Sequence, residues 1–167
     1  MVIYDKIDST NNAAKLLAKN AAPHGSVVIA LQQTSGKGRL GRSFYSPEAT
    51  GIYMTAILRP TLPVQQVLQI TSAAAVAVSR GIKDAAGIET QIKWVNDVYY
   101  QGKKLCGILT ESSVENGKID YAVVGIGINV STDTFPQELK EKATCLSHAA
   151  GQVDSDLLIA RVLDNLD

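Results

Sequence analysis

Nine residues at Thr34–Arg42, T-S-G-K-G-R-L-G-R, hold three glycines and three cations. Glycine lets the main chain approach a ligand closely and present N–H groups, while Lys37, Arg39 and Arg42 supply charge for a phosphate or a carboxylate. The run is not a P-loop of the G-x-x-x-x-G-K-S/T kind, because its lysine precedes the second glycine. Read alone, it serves equally as a phosphate cradle or a solvated surface loop. Ordering so much glycine is entropically costly, so the cradle reading requires a ligand that offsets the cost.

Three further runs carry candidate chemistry. Lys93-Trp94-Val95-Asn96-Asp97, followed by Lys104 to Glu111 (K-L-C-G-I-L-T-E), gathers two lysines and an aspartate around a tight hairpin. Asp97 could orient a metal-bound phosphate or an incoming amine. The competing reading makes Asn96-Asp97 turn chemistry and puts Trp94 in the core. Val123-Val124-Gly125-Ile126-Gly127-Ile128-Asn129 lacks the third glycine and following helix of a dinucleotide fingerprint. Alternating glycines in a strand instead mark close approach of a flat ligand or another backbone, and the Asn129 amide suits a purine edge. Asp8-Ser9-Thr10-Asn11 reads as a helix cap whose hydroxyls and amide also suit a polar ring.

These runs need elements to hold them. The pattern predicts a helix over Asn11–Lys19, capped at Asp8, Ser9 or Thr10, and a strand over Ser26–Gln32 that leads into the glycine-rich loop. A second strand, Ile52–Arg59, stops at Pro60; Pro63 opens a long helix to about Ala86, closed by Gly87. From Thr90 the texture is that of strands: Thr90–Trp94, Val98–Tyr100, Lys104–Glu115 and Ile119–Val130, the last two joined by the hairpin signal Asn116-Gly117. Short helices are expected near Gln137–Lys142 and from Asp154. The fold class is therefore α+β, a mixed, largely antiparallel sheet flanked by helices.

Composition narrows the function classes. With 167 residues, 46% of them hydrophobic, one domain is expected. Sixteen basic and sixteen acidic residues cancel, so no global field draws the chain to nucleic acid or membrane. Ala73–Val78 is too short to span a bilayer, and the charged Met1–Asp8 does not resemble a signal peptide, so a cytoplasmic location is expected. Cys106 and Cys145, with His24 and His148, show no ligand spacing, which argues against a disulfide framework, zinc chemistry or Ser-His-Asp catalysis.

Taken in order, D-S-T-N at Asp8–Asn11, Q-Q-T-S-G-K-G-R-L-G-R at Gln32–Arg42, K-W-V-N-D at Lys93–Asp97, K-L-C-G-I-L-T-E at Lys104–Glu111 and G-I-G-I-N at Gly125–Asn129 resemble the biotin protein ligases. The resemblance implies a catalytic domain over residues 1–167 with a class II aminoacyl-tRNA synthetase-like fold. It implies biotin and ATP as substrates, Mg2+, and a biotin carboxyl carrier protein as acceptor. By the same resemblance Ser9, Thr10, Asn11 and Gln33 meet the biotin ureido ring. Gly36, Lys37, Gly38 and Arg39 close over biotin and the adenylate phosphate, and Arg42 supports closure or the departing pyrophosphate. Lys104, with Arg39 and Asp97, is catalytic; Asp97, next to Asn96 on the ATP side, is a weak Mg2+ ligand; Gly107, Gly125 and Gly127 line the pocket; Asn129 recognises adenine.

The family usually has proline where Val95 stands, and often arginine where Lys37 and Leu40 stand. Members commonly add a small C-terminal β domain and some an N-terminal helix-turn-helix; neither is expected here, and so no repressor activity. A sheet-edge homodimer is compatible with the resemblance. Two rivals stand beside this reading: a lipoate ligase of the same superfamily, and a catalytically weak biotin- or adenylate-binding module or fragment.

Overall fold

Seven strands make one mixed sheet: β1 (Val2–Ile7), β2 (Ser26–Gln33), β3 (Gly51–Leu58), β4 (Gln91–Lys93), β5 (Asp97–Tyr100), β6 (Lys103–Glu115) and β7 (Lys118–Asn129), in the spatial order β1-β2-β3-β7-β6-β5-β4. The computed structural model describes residues 1–166. Only β1 and β2 run parallel, joined by helix α1 (Thr10–Lys19); every other neighbouring pair is antiparallel, as the sequence led us to expect.

Alternation along the strands sorts their side chains onto two faces. Val27 and Ile29 of β2, Met54 and Ala56 of β3, and Val124, Ile126 and Ile128 of β7 pack against α2 (Val67–Ala86) and α4 (Ser155–Asp164). Val28, Ile57, Tyr121 and Val123 face the other way, onto Ala14 and Ala18 of α1. The period of two continues the second row of β7 through Gly125 and Gly127 to Asn129. Beyond the end of α1, therefore, the sheet presents bare backbone rather than side chains. α2 and α4 approach closely at Gly81, where an added Cβ would lie 2.6 Å from Val162 Cγ2 and 2.9 Å from Val162 Cα.

Most predicted elements form within a residue or two of their expected bounds. The Asn116-Gly117 turn takes φ of 51° and 75°, and Gly87 closes α2 at φ 70°. Four features differ. β1 escaped notice because its residues are largely exposed on a sheet edge and carry no apolar alternation. Pro63 begins a short 3-10 turn, and α2 itself starts at Val67. Gln137–Lys142 forms turns rather than a helix, because Lys104 N–H donates to Lys142 O (2.8 Å) and Thr144 N–H to Lys104 O (2.9 Å), drawing the segment alongside β6. Trp94, 76% exposed, is not a core residue; the Trp94–Val95 peptide is cis. A short helix, α3, spans Ser147–Ala150 ahead of α4. Among the described residues, no helix is long and apolar enough to cross a membrane.

Candidate active site

The bare row on β7 is the floor of a site. Gly127 lies opposite Gly107 of β6, and Gly125 opposite Leu109. A Cβ on Gly125 would run into the Asn11 side chain, and one on Gly127 would lie 2.5 Å from Phe44 Cε1, so only glycine permits these neighbours.

Polar side chains wall one end. Ser9, Thr10 and Asn11 at the start of α1 are all buried, and Ser9 stands at the N-cap position without capping, leaving its hydroxyl to the cavity. Gln33 Oε1 accepts from Thr10 N–H (2.9 Å) and its hydroxyl (3.1 Å), while Gln33 Nε2 donates to Ser46 Oγ (2.9 Å). The buried Thr55 hydroxyl lies 2.8 Å from both Thr10 Oγ1 and Asn11 Oδ1. Asn11 Nδ2 donates to Glu111 (2.9 Å), which also pairs with Lys15 at 2.8 Å. Burial pushes the Glu111 carboxyl up, but hydrogen bonds from Lys15 and Asn11 and the charges of Lys15 and Lys37 outweigh it and hold the group below its ordinary value.

The glycine-rich loop lies over this wall. Gly38 N–H donates to Arg42 O (2.7 Å) and Phe44 N–H to Gly36 O (2.8 Å), making a narrow hairpin whose tip, Leu40, is 88% exposed with φ 57°. Lys37 Nζ reaches Asn12 Oδ1 at 2.6 Å, and Arg39 Nη1 reaches Asn96 Oδ1 at 3.1 Å, so the outgoing arm of the loop is fastened to the body at two points. A Cβ on Gly36 would collide with Phe44 O and Ser46 Oγ. The loop is thus a folded lid.

Phe44 divides the space beneath the lid in two. On one side, Ser9, Thr10, Asn11, Gln33, Lys37, Gly107, Gly125 and Gly127 enclose about 20 Å³, room for a single water. On the other, Lys104, Asn129, Tyr45, Phe135 and Ala143 enclose about 80 Å³. Lys104 sits at the partition: its Nζ is 2.7 Å from Asp97 Oδ1 and would be 3.1 Å from a Cβ on Gly107. Asn96 Nδ2 donates to the same Asp97 oxygen at 3.0 Å, so Arg39, Asn96, Asp97 and Lys104 form one connected chain. Asn129 Nδ2 donates to Thr144 O at 3.0 Å, and the residue lines the second cavity. The Arg42 guanidinium is exposed and lines neither space.

The residues expected at the site thus converge, Arg42 aside. The sequence assigned no site role to Phe44, Ser46, Thr55 or Glu111, although Glu111 ends one of the quoted runs. A threonine inside a β-branched strand and an aromatic after a loop carry no local signal; the paired register of β3 and β7 sets Thr55 opposite Gly125, and the fold of the loop sets Phe44 over Gly127. Cys106 lies fully buried in the helix-side core, where burial pushes its thiol far above the ordinary range, so it is chemically inert.

The chain is similar to known proteins along nearly its whole length. It is 46% identical over 166 residues to the bifunctional ligase/repressor BirA of Bacillus subtilis, covering 98% of this chain and 51% of that protein. It is 34% identical over 167 residues to the biotin–acetyl-CoA-carboxylase ligase of Mycobacterium tuberculosis, covering 95% and 59%. The chain spans about half the length of the curated relatives it matches. The Aquifex aeolicus biotin protein ligase, solved with biotin and ATP, superposes with a TM-score of 0.83 at 32% identity, covering 99% of this chain and 67% of that one. The mixed sheet with flanking helices is therefore the class II synthetase-like fold that the motifs implied. A family model matches residues 3–129, the stretch that holds the lid, the glycines of the first cavity and Lys104, and the chain belongs to the biotin/lipoate A/B protein ligase family.

Proposed function

We propose that this chain is the catalytic unit of an ATP-dependent biotin–protein ligase. A carboxylate is a poor acyl donor, so the biotin carboxylate attacks the α-phosphorus of ATP, forming biotinyl-5'-AMP and releasing pyrophosphate. A lysine amine of a biotin carboxyl carrier protein then attacks the acyl carbon, and AMP leaves. The observation that carries this reading is the junction of two cavities at Lys104, with Asp97 on it at 2.7 Å. In it, Ser9, Thr10, Asn11 and Gln33 hold the ureido ring over the glycine floor. The adenylate takes the second cavity, with Asn129 toward the base, and the acyl phosphate bond forms where Lys104 neutralises the growing charge. Arg39 and Lys37 bring further positive charge from the lid.

Asp97 is read as the anchor that orients Lys104. Its Oδ1 already accepts from an ammonium and an amide, a poor setting for a divalent ion, so the donor set does not make a protein-built Mg2+ site and Mg2+ belongs with the ATP phosphates as part of the substrate. A soluble, cytoplasmic enzyme fits this chemistry, and a sheet-edge homodimer is compatible with it.

Biotin-dependent exchange of labelled pyrophosphate into ATP tests the reading. Lys104→Ala should lower the exchange rate by about 10²–10³, the loss expected for a donor placed on developing charge. Biotin binding with no exchange in the unaltered chain would leave only a binding module, and exchange driven by lipoate instead of biotin would transfer the reading to the lipoate branch.

A further inference from the structure

Three metal-ligating side chains converge away from the site, where the segment after β7 folds back on itself. Asp133, Cys145 and His148 bring a carboxylate oxygen, a thiol sulfur and an imidazole nitrogen within 4.8 Å of one another. His148 Nε2 lies 3.9 Å from Asp133 Oδ1. Sequence spacing hides the group, because Asp133 leaves on one arm of the loop and Cys145 and His148 return on the other. The returning arm is pinned at the end of β7 by Leu146 N–H to Asn129 O (3.0 Å) and Ser147 N–H to Val130 O (2.8 Å), which sets it beside the outgoing arm.

We propose that Asp133, Cys145 and His148 form a three-ligand binding site for a borderline-soft divalent cation of the Zn2+ type, with water in the fourth position. Thiolate, imidazole and carboxylate together select such an ion over Mg2+ or Ca2+, which want oxygen alone. Tetrahedral bonds of about 2.0–2.3 Å place ligand atoms roughly 3.3–3.6 Å apart, so the cluster closes by about an ångström on binding. The two ligands that must move are free to do so: the Asp133 and His148 side chains are 83% and 56% exposed, which also gives the ion access from solvent. Cys145 is buried and fixed. On binding, its thiol proton passes to solvent, and the Ser147 hydroxyl, 3.2 Å from Sγ, donates to the thiolate that results. A His148–Asp133 ion pair alone explains neither the thiol beneath it nor the hydroxyl on that thiol.

The ion would clasp the two arms of the loop. The same loop carries Thr144, whose carbonyl takes the Asn129 amide, and Ala143, which lies beside Lys104, so the clasp would stiffen one wall of the second cavity. The metal site itself does not depend on the ligase reading.

Chelator-stripped protein titrated with Co2+ tests it. One equivalent should raise a near-ultraviolet thiolate-to-cobalt charge-transfer band with tetrahedral d–d bands in the visible, and Zn2+ should erase both. Cys145→Ser should remove the charge-transfer band while circular dichroism stays unchanged. His148→Ala and Asp133→Ala, both at exposed positions that leave folding intact, should each weaken Co2+ binding by more than about tenfold. No charge-transfer band, or a band that both alanine variants leave unaltered, would overturn the proposal.

Discussion

Phe44 sets the resting state of the site. Its ring edge occupies the space above Gly127 that a Cβ would need, so Gly127→Ala must push the ring aside and narrow the cleft. The ring is the movable end of a side chain, so the expected cost in stability is below about 1 kcal/mol, while pyrophosphate exchange should fall at least tenfold; a variant with full exchange would mean the cleft does not need this row bare. Glu111 gives a pH prediction. Its carboxyl is held below its ordinary value in the fold, so its contribution is complete above the ordinary carboxylate range and is lost as pH falls through the depressed one. Glu111→Gln should therefore lower the melting temperature at neutral pH, and the two melting curves should converge toward strong acid. Legibility at this scale depended on company. Ser9, Thr10, Asn11, Gln33 and Lys104 were readable because they stand in short ordered runs, whereas Thr55 and Ser46 act across strands and loops whose own sequences look like ordinary β and turn residues.

Among elements, the contact between α2 and α4 is the most exacting. Gly81 meets the Val162 side chain and backbone together, and backbone cannot rotate away. Gly81→Ala should destabilise the chain by about 1–3 kcal/mol through overpacking, seen as a lower urea midpoint; an unchanged midpoint would mean that α4 shifts freely. Gly87, the Asn116-Gly117 turn and the Asp154 cap, whose carboxylate accepts from Asp156 and Leu157 N–H, were legible because each obeys a local backbone rule. β1 and the turns at Gln137–Lys142 were not, since both owe their shape to partners distant in sequence: β2 for the first and Lys104 for the second.

For the whole molecule, the lid offers the direct test of motion. On the proposed reading, biotin would have to lift or reshape a loop whose first cavity has room for one water, and the loop would fasten again once the ligand is seated. Trypsin cleavage at Lys37, Arg39 and Arg42 should slow severalfold when biotin and ATP are both present; equal cleavage with and without them would deny closure over ligand. β7 joins the site to the core. Its odd-numbered residues from Tyr121 to Asn129 floor the site and the α1 core, and its even-numbered ones fill the core under α2 and α4. Insertion or deletion of one residue in that strand would exchange the two rows, placing isoleucines in the cleft and glycines in the core. Length variation among descendants of this chain must therefore collect in the Asn116-Gly117 hairpin and the loop after Asn129, while β7 drifts by substitution alone.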